Sequence, residues 1–301
     1  MARRPYSKVL LSVLALAIAS NRPEAIAVAE IEIKAAGDSA NTVVTEYGQN
    51  YRIDGGRTSS DGTNLFHSFE KFGLEQGRVA EFRSRPNIEN ILGRVVGGDP
   101  SRINGLIQVT GGNSNLYLLN PAGIIFGPAA RLNLPASFTA TTATGIGFDG
   151  GIADGWFNAI GTNNYNALIG NPSYFEFGNA FPGGIINRAN LAVNPGADLT
   201  LLGGTIISSG SLSAPGGNLT LAAVPGQNRI RISQPGHLLA LEISPLSNSN
   251  LASELNPPTI AQLLTDPDIG HATGATVNSN GEILLTGSGF SGRQGAASLR
   301  T

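Results

Sequence analysis

The sequence predicts an all-β protein, a right-handed parallel β-helix with an N-terminal cap and extra β elements outside the coil. Three observations predict it: short β-type runs between turn residues, an internal repeat near 20 residues, and a composition that cannot clothe helices. Hydrophobic residues make up 41% of the 301-residue chain and charged residues only 13%, while Gly reaches 40. A soluble helical protein needs Glu, Lys and Ala on its outer faces. Lys occurs only at positions 8, 34 and 71.

The runs are three to seven residues long. Ile103 to Val109 ends at Gly111-Gly112, and Leu116-Tyr117-Leu118-Leu119 ends at Asn120-Pro121. Ile124-Ile125-Phe126 stops at Gly127-Pro128, and Leu132-Asn133-Leu134 at Pro135, with Ser137 to Thr142 following. Such spacing is the signature of strands broken by turns. Asn87 to Val96 fits two readings. Ile88, Ile91, Leu92 and Val95 have helical spacing after Pro86, yet the β-branched ending suits a strand equally.

The repeat is Asp198-Leu199-Thr200-Leu201 against Asn218-Leu219-Thr220-Leu221, each preceded by a glycine, Gly196 and Gly217. A period of that length with several strands in it suits a solenoid whose turns stack. Leu199 then lies over Leu219, and Leu201 over Leu221. A leucine-rich repeat needs leucines at fixed offsets that are missing here, and a calcium-binding β-roll needs repeated Gly-Gly-Asp nonapeptides, of which Gly97-Gly98-Asp99 is a single echo. Residues 150–181, rich in Gly, Asn and aromatics, read as a surface insertion between coils. Residues 244–270 read as a second excursion, with Leu251 to Leu264 a candidate short outer helix.

Residues 1–27 read as a signal peptide: Arg3, Arg4 and Lys8 precede the apolar run Val9 to Ala19, with small-residue cleavage patterns at Ala25-Ile26-Ala27 and Ala27-Val28-Ala29. Eleven residues span about 16 Å as a helix, too short for a bilayer. The remaining domain, 28–301, has no transmembrane candidate. Of 19 basic and 21 acidic residues, four and one fall in the leader, so the mature chain carries a net charge of −5. No basic patch interleaved with aromatics appears, which disfavours nucleic acid as a partner. Cys is absent, although an exported chain could use disulfides; their absence fits a protein that stays unfolded while crossing a second membrane.

Little in the chain suggests chemistry. Gly145-Gly147-Gly150 and Gly287-Gly289-Gly292 match the dinucleotide spacing, but Gly151-Ile152-Ala153-Asp154-Gly155 starts no helix. His67 and Glu70 have the spacing of two metal ligands but lack further ones, and His237 and His271 are isolated. A β-helix polysaccharide-degrading enzyme needs carboxylates converging on one face. Between residues 190 and 241 Asp198 is the only acid, and Arg229 and Arg231 have no acidic neighbour in sequence. The reading is a non-enzyme without cofactor or metal.

Arg94-Val95-Val96-Gly97-Gly98-Asp99-Pro100-Ser101-Arg102-Ile103-Asn104-Gly105, leading to Asn115-Leu116-Tyr117-Leu118-Leu119-Asn120-Pro121-Ala122-Gly123-Ile124-Ile125-Phe126-Gly127, resembles the two-partner-secretion domain of filamentous-haemagglutinin-type exoproteins in the cyanobacterial style. The likeness extends to Asn64-Leu65-Phe66-His67-Ser68-Phe69 and to Gly281-Glu282-Ile283-Leu284-Leu285-Thr286-Gly287. It implies export to the periplasm, recognition by a dedicated outer-membrane β-barrel transporter with periplasmic docking domains, and folding outside, secreted or on the cell surface. The family's Asn-Pro-Asn-Gly-Ile signature falls on Asn120, Pro121, Ala122, Gly123 and Ile124, with Ala in place of the middle Asn. Pro121 and Gly123 have the φ preferences of a tight turn. The motif is then a corner of the coil, a transporter-recognition element, or both. A third class of function, adhesion, would use exposed rings to stack on surface glycans. Trp156, Phe157 and Tyr165 are its candidate ligand-facing aromatics, against the alternative that they pack over the coil.

Overall fold

The structure, a computed structural model, describes residues 31–149, 155–232, 241–245, 274–277, 283–286 and 297–300. The expected leader, most of the 244–270 excursion, the Leu251–Leu264 helix, the second glycine motif, His237 and His271 lie outside the described residues.

The strands stack into a parallel β-helix with three faces. Face A consists of Asn64–Phe72, Asn90–Val95, Asn115–Leu119, Phe138–Thr141, Leu199–Gly203 and Asn218–Ala223, each parallel to the next. Face B runs from Asn50–Gly55 through Val79–Arg83 and Leu106–Thr110 to Arg131–Asn133, and resumes in the pair Leu191–Ala192 and Leu212–Ser213. Face C holds Ser101–Ile103, Ile124–Phe126, Gly184–Asn187 and Thr205–Ser208. Within the ambiguous segment 87–96, Asn90–Val95 is therefore a strand. Its apolar residues at helical spacing divide between the two sides of face A, Ile91 packing into the coil and Leu92 outside it.

Alternation decides what fills the coil. Leu65, Ile91, Leu116, Phe138, Leu199 and Leu219 are successive register partners on face A, and all six are buried in the coil core. Leu201 pairs with Leu221 as the repeat requires. Fully burying one such side chain stabilises by about 2 kcal/mol, and only if the neighbouring turn is in place. Just before the first residue of this column runs a polar ladder. Asn90 Nδ2 donates to Asn64 Oδ1 and Asn115 Nδ2 to Asn90 Oδ1, both at 2.9 Å. The Ser137 N–H donates to Asn115 Oδ1, the Asp198 N–H to Ser137 Oγ, and the Asn218 N–H to Asp198 Oδ1. Polar groups at the corner of every turn thus find partners one rung away.

The N-terminal end is closed by antiparallel elements: Ile33–Ala35 against Asn64–Phe72, and the hairpin Thr42–Tyr47 with Asn50–Gly55. Antiparallel caps deny the parallel stack a free template edge. Between Phe138–Thr141 and Gly184–Asn187 the chain leaves the coil. It forms an antiparallel sheet of Gly145–Phe148, Trp156–Asn158 and Pro172–Phe177, later joined by Asn228–Ile232 and Leu241–Pro245. The excursion expected at 150–181 begins sooner, with the first glycine motif: Gly145 and Gly147 lie in a strand, and no α-helix follows them among the described residues, only the 3-10 turn Tyr165–Ala167. The sheet packs its inner face, Ile146, Phe148, Phe157, Phe175, Phe177 and Ile230, over the outer side of face A, where Phe66, Leu92, Leu119, Leu202 and Ala222 meet it.

Candidate functional site: the Asn120–Gly123 corner and the aromatic excursion

Asn120-Pro121-Ala122-Gly123 turns the chain from face A to face C. The Ala122 N–H donates to Asn120 Oδ1 at 3.0 Å, an Asx turn, and the Gly123 N–H to the Asn120 carbonyl at 3.1 Å. Gly123 sits at φ +124°, where a side chain is strained. Asn120 Nδ2 donates to the Asp99 carbonyl and to Ser101 Oγ of the preceding turn. Its side chain is therefore committed to the corner, and Asn120 is 1% exposed while Pro121 and Ala122 are half-buried. Ile124 begins the next strand and is buried in the coil. From the other side Gly183 closes on the turn, where a Cβ would fall 2.5 Å from the Pro121 carbonyl oxygen. Sequence inspection missed Gly183, because 62 residues separate it from Pro121.

The three aromatic candidates do not share a surface. Phe157 is fully buried and Tyr165 nearly so, both against Phe66 at ring separations of 5.1 and 5.3 Å. They are packing residues, not ligand-facing ones, because the strand carrying Phe157 turns that ring onto the coil. Trp156 takes the opposite side. Its ring lies across Gly145 and Gly147, with the Arg229 guanidinium 4.6 Å from its centre. It also lines a cavity of about 300 Å³ with Asn158, Thr162, Asn163 and Asn164. Arg229, without an acid nearby in sequence, bonds Glu176 at 2.8 Å across the sheet. Arg231 stands over Tyr174.

His67 and Glu70 are on opposite sides of their strand. His67 is sealed in the coil, and Glu70 is at the surface paired with Lys34. Among the described residues no cluster of three metal-ligating side chains occurs, and no helix is long and apolar enough to cross a membrane.

A buried polar junction that sequence reading missed joins the excursion to the coil. Arg94, 2% exposed, bonds Ser68 Oγ and Asp38 Oδ2 through Nε and Nη2, and the Asn158 and Gly161 carbonyls through Nη1. Burial alone would raise the Asp38 carboxyl. Hydrogen bonds from Ser68, the Ala40 N–H and Arg94, with the Arg94 charge, outweigh that and hold it below the ordinary carboxylate range.

Fold and corner together define a parallel β-helix whose Asn-Pro-Ala-Gly turn is built into the stack and whose flank carries a laterally packed antiparallel sheet. The family model described as "TPS secretion domain" matches residues 31–285, and the chain belongs to that family. Domains of this family mark an exoprotein that passes through the periplasm in two-partner secretion. Among solved structures, that of the HMW1 secretion domain from Haemophilus influenzae is similar at 22% identity with a TM-score of 0.48, over 71% of this chain. The aligned region is 47% of that structure, about half its length. No curated protein matches.

Proposed function

We propose that this domain directs its exoprotein through a cognate outer-membrane β-barrel transporter with periplasmic docking domains, and that it starts β-helix folding outside. The family match over 31–285 carries the first half of this reading. The second half is supported by the rung-by-rung architecture. Each turn buries its leucine against the one before, so free energy of folding arrives progressively, within a net domain stability of about 5–15 kcal/mol. With no nucleotide consumed outside the inner membrane, that gain biases movement outward.

The corner motif has two roles in this scheme at different times. Asn120 is nearly inaccessible once the coil closes, so a transporter that reads its side chain reads the unfolded chain. The test is protease accessibility of the exoprotein on cells with and without the cognate transporter. Accessibility that depends on the transporter is expected, and equal accessibility without it overturns the proposal. Leu219→Asp places a charge in the core column, and slowed surface appearance is its expected outcome; unchanged kinetics would refute the folding bias.

A second reading, glycan adhesion, keeps one of its three aromatics. Trp156 and the amides of Asn158, Asn163 and Asn164 offer a ring and hydrogen-bonding groups around one cavity, a chemistry suited to sugars. A glycan array comparing wild type with Trp156→Ala tests it, and an identical blank pattern for both disposes of it.

A further inference from the structure

His67 has a place in this fold that neither secretion nor adhesion explains. It occupies the second interior column of face A, in register with Gly93, and is 0% exposed. Its ring lies 5.8 Å from Phe82 and 6.2 Å from Phe69, centre to centre. The backbone at Gly56 closes over it, where a Cβ would stand 3.0 Å from His67 Cε1. Among the described residues neither ring nitrogen has a hydrogen-bond partner. Histidine is an odd choice for such a position. A leucine fills the same column two turns on at Leu118, and again at Leu201.

Charges on the strands around it all stay outside the coil. On its own strand Glu70 pairs with Lys34 and Lys71 with Glu32. On the strand beneath, Arg94 reaches outward to Asp38. Across the coil Glu81 and Arg83 pair with each other on the outer side of face B. On the hairpin strand and after it, Arg52 stacks on Tyr47, Asp54 is half-exposed, and Arg57 reaches the Ser39 carbonyl. Among the described residues, an imidazolium at position 67 would have no anion to face.

We infer that closure of the first rungs requires a neutral imidazole at His67, so that the domain loses stability as pH falls through the mildly acidic range. Burial pulls the folded-state pKa down to about 3, against about 6.5 for an unfolded histidine. A group whose folded pKa is depressed contributes stability present above the unfolded value and lost as pH falls below it. Between pH 7.5 and 5.0 the unfolded-to-folded ratio should therefore rise about 30-fold, equivalent to roughly 2 kcal/mol. Over that window the carboxylates held low in the fold, Asp38, Asp61, Glu70 and Glu81, stay largely ionised folded or unfolded, since unfolded Asp and Glu titrate near pH 4.

The test is urea unfolding of the full chain at pH 7.5 and 5.0, wild type beside His67→Phe and His67→Asn. Wild type should show the 30-fold change, and the variants less than a threefold change. Equal pH dependence in wild type and variants overturns the inference. Where both variants fail to fold, hydrogen–deuterium exchange at the His67 ring carbon of the wild-type chain decides it. No titration above pH 5 in the folded chain, with an ordinary one in urea, supports the device; titration near 6.5 in the folded chain refutes it.

Discussion

At the scale of single residues, Arg94 is the side chain on which most depends. One guanidinium gathers the N-terminal cap at Asp38, the first rung at Ser68 and the excursion at Asn158 and Gly161. Removing one member of a buried, hydrogen-bonded charge pair costs about 3–5 kcal/mol. Arg94→Met should cost at least about 3 kcal/mol in urea unfolding, whereas Arg131→Met, whose bonds are to carbonyls of its own turn, should cost under about 0.5 kcal/mol. Nothing local marks Arg94 as special, since its partners lie 26, 56, 64 and 67 residues away. The turn at Asn120 was legible because its chemistry is local: the Asx bond, the proline and the positive φ fall within four residues. Its clamp at Gly183 was not. Gly183→Ala drives a methyl into the Pro121 carbonyl, and a lowered melting temperature with the Asn120–Gly123 residues untouched is the expected result.

At the scale of strands, the short β-type runs and their turn boundaries were readable, but which face of the excursion's strands met the core was not. Trp156 and Phe157 are neighbours of similar chemistry with opposite fates. Only the sheet they enter decides that Phe157 is buried against Phe66 and Trp156 is left outside. Phe157→Ala should therefore cost about 3–5 kcal/mol, while Trp156→Ala should cost far less, as comparative thermal unfolding will show. The 20-residue repeat was visible for a similar reason. Successive ladder positions are separated by 26, 25, 22, 61 and 20 residues. The final coil is short and uninterrupted, so its copy stands out, while the excursion hides the 61-residue step and longer loops blur the earlier ones. Asn115 bridges two rungs of that ladder. Asn115→Ala leaves Asn90 Oδ1 and the Ser137 N–H without partners, at about 1–3 kcal/mol. Asn87, exposed and bonded only to a loop carbonyl, is the control position.

At the scale of the whole molecule, the coil is a one-dimensional stack tied by an element that violates its own sequence order. The excursion comes after the fourth strand of face A, yet it fastens to the first. Asn64 Nδ2 donates to the Leu168 and Gly170 carbonyls, 104 and 106 residues downstream, and Asp61 accepts from the Gly170 N–H. For a chain delivered N-terminus first, the earliest rungs are thus left with an open seam until residue 170 arrives. The first three strands of face A form while their outer apolar side, Phe66, Leu92 and Leu119, is still bare. Fragments ending at residue 149 and at residue 232 should differ sharply under limited proteolysis, the shorter cut within face A and the longer resistant there. Equal resistance would mean that the stack matures without its fastening. If the seam closes late, a stalled passage would leave a half-built, sticky coil, and the interval between residues 64 and 170 would be the stretch of chain most exposed to degradation.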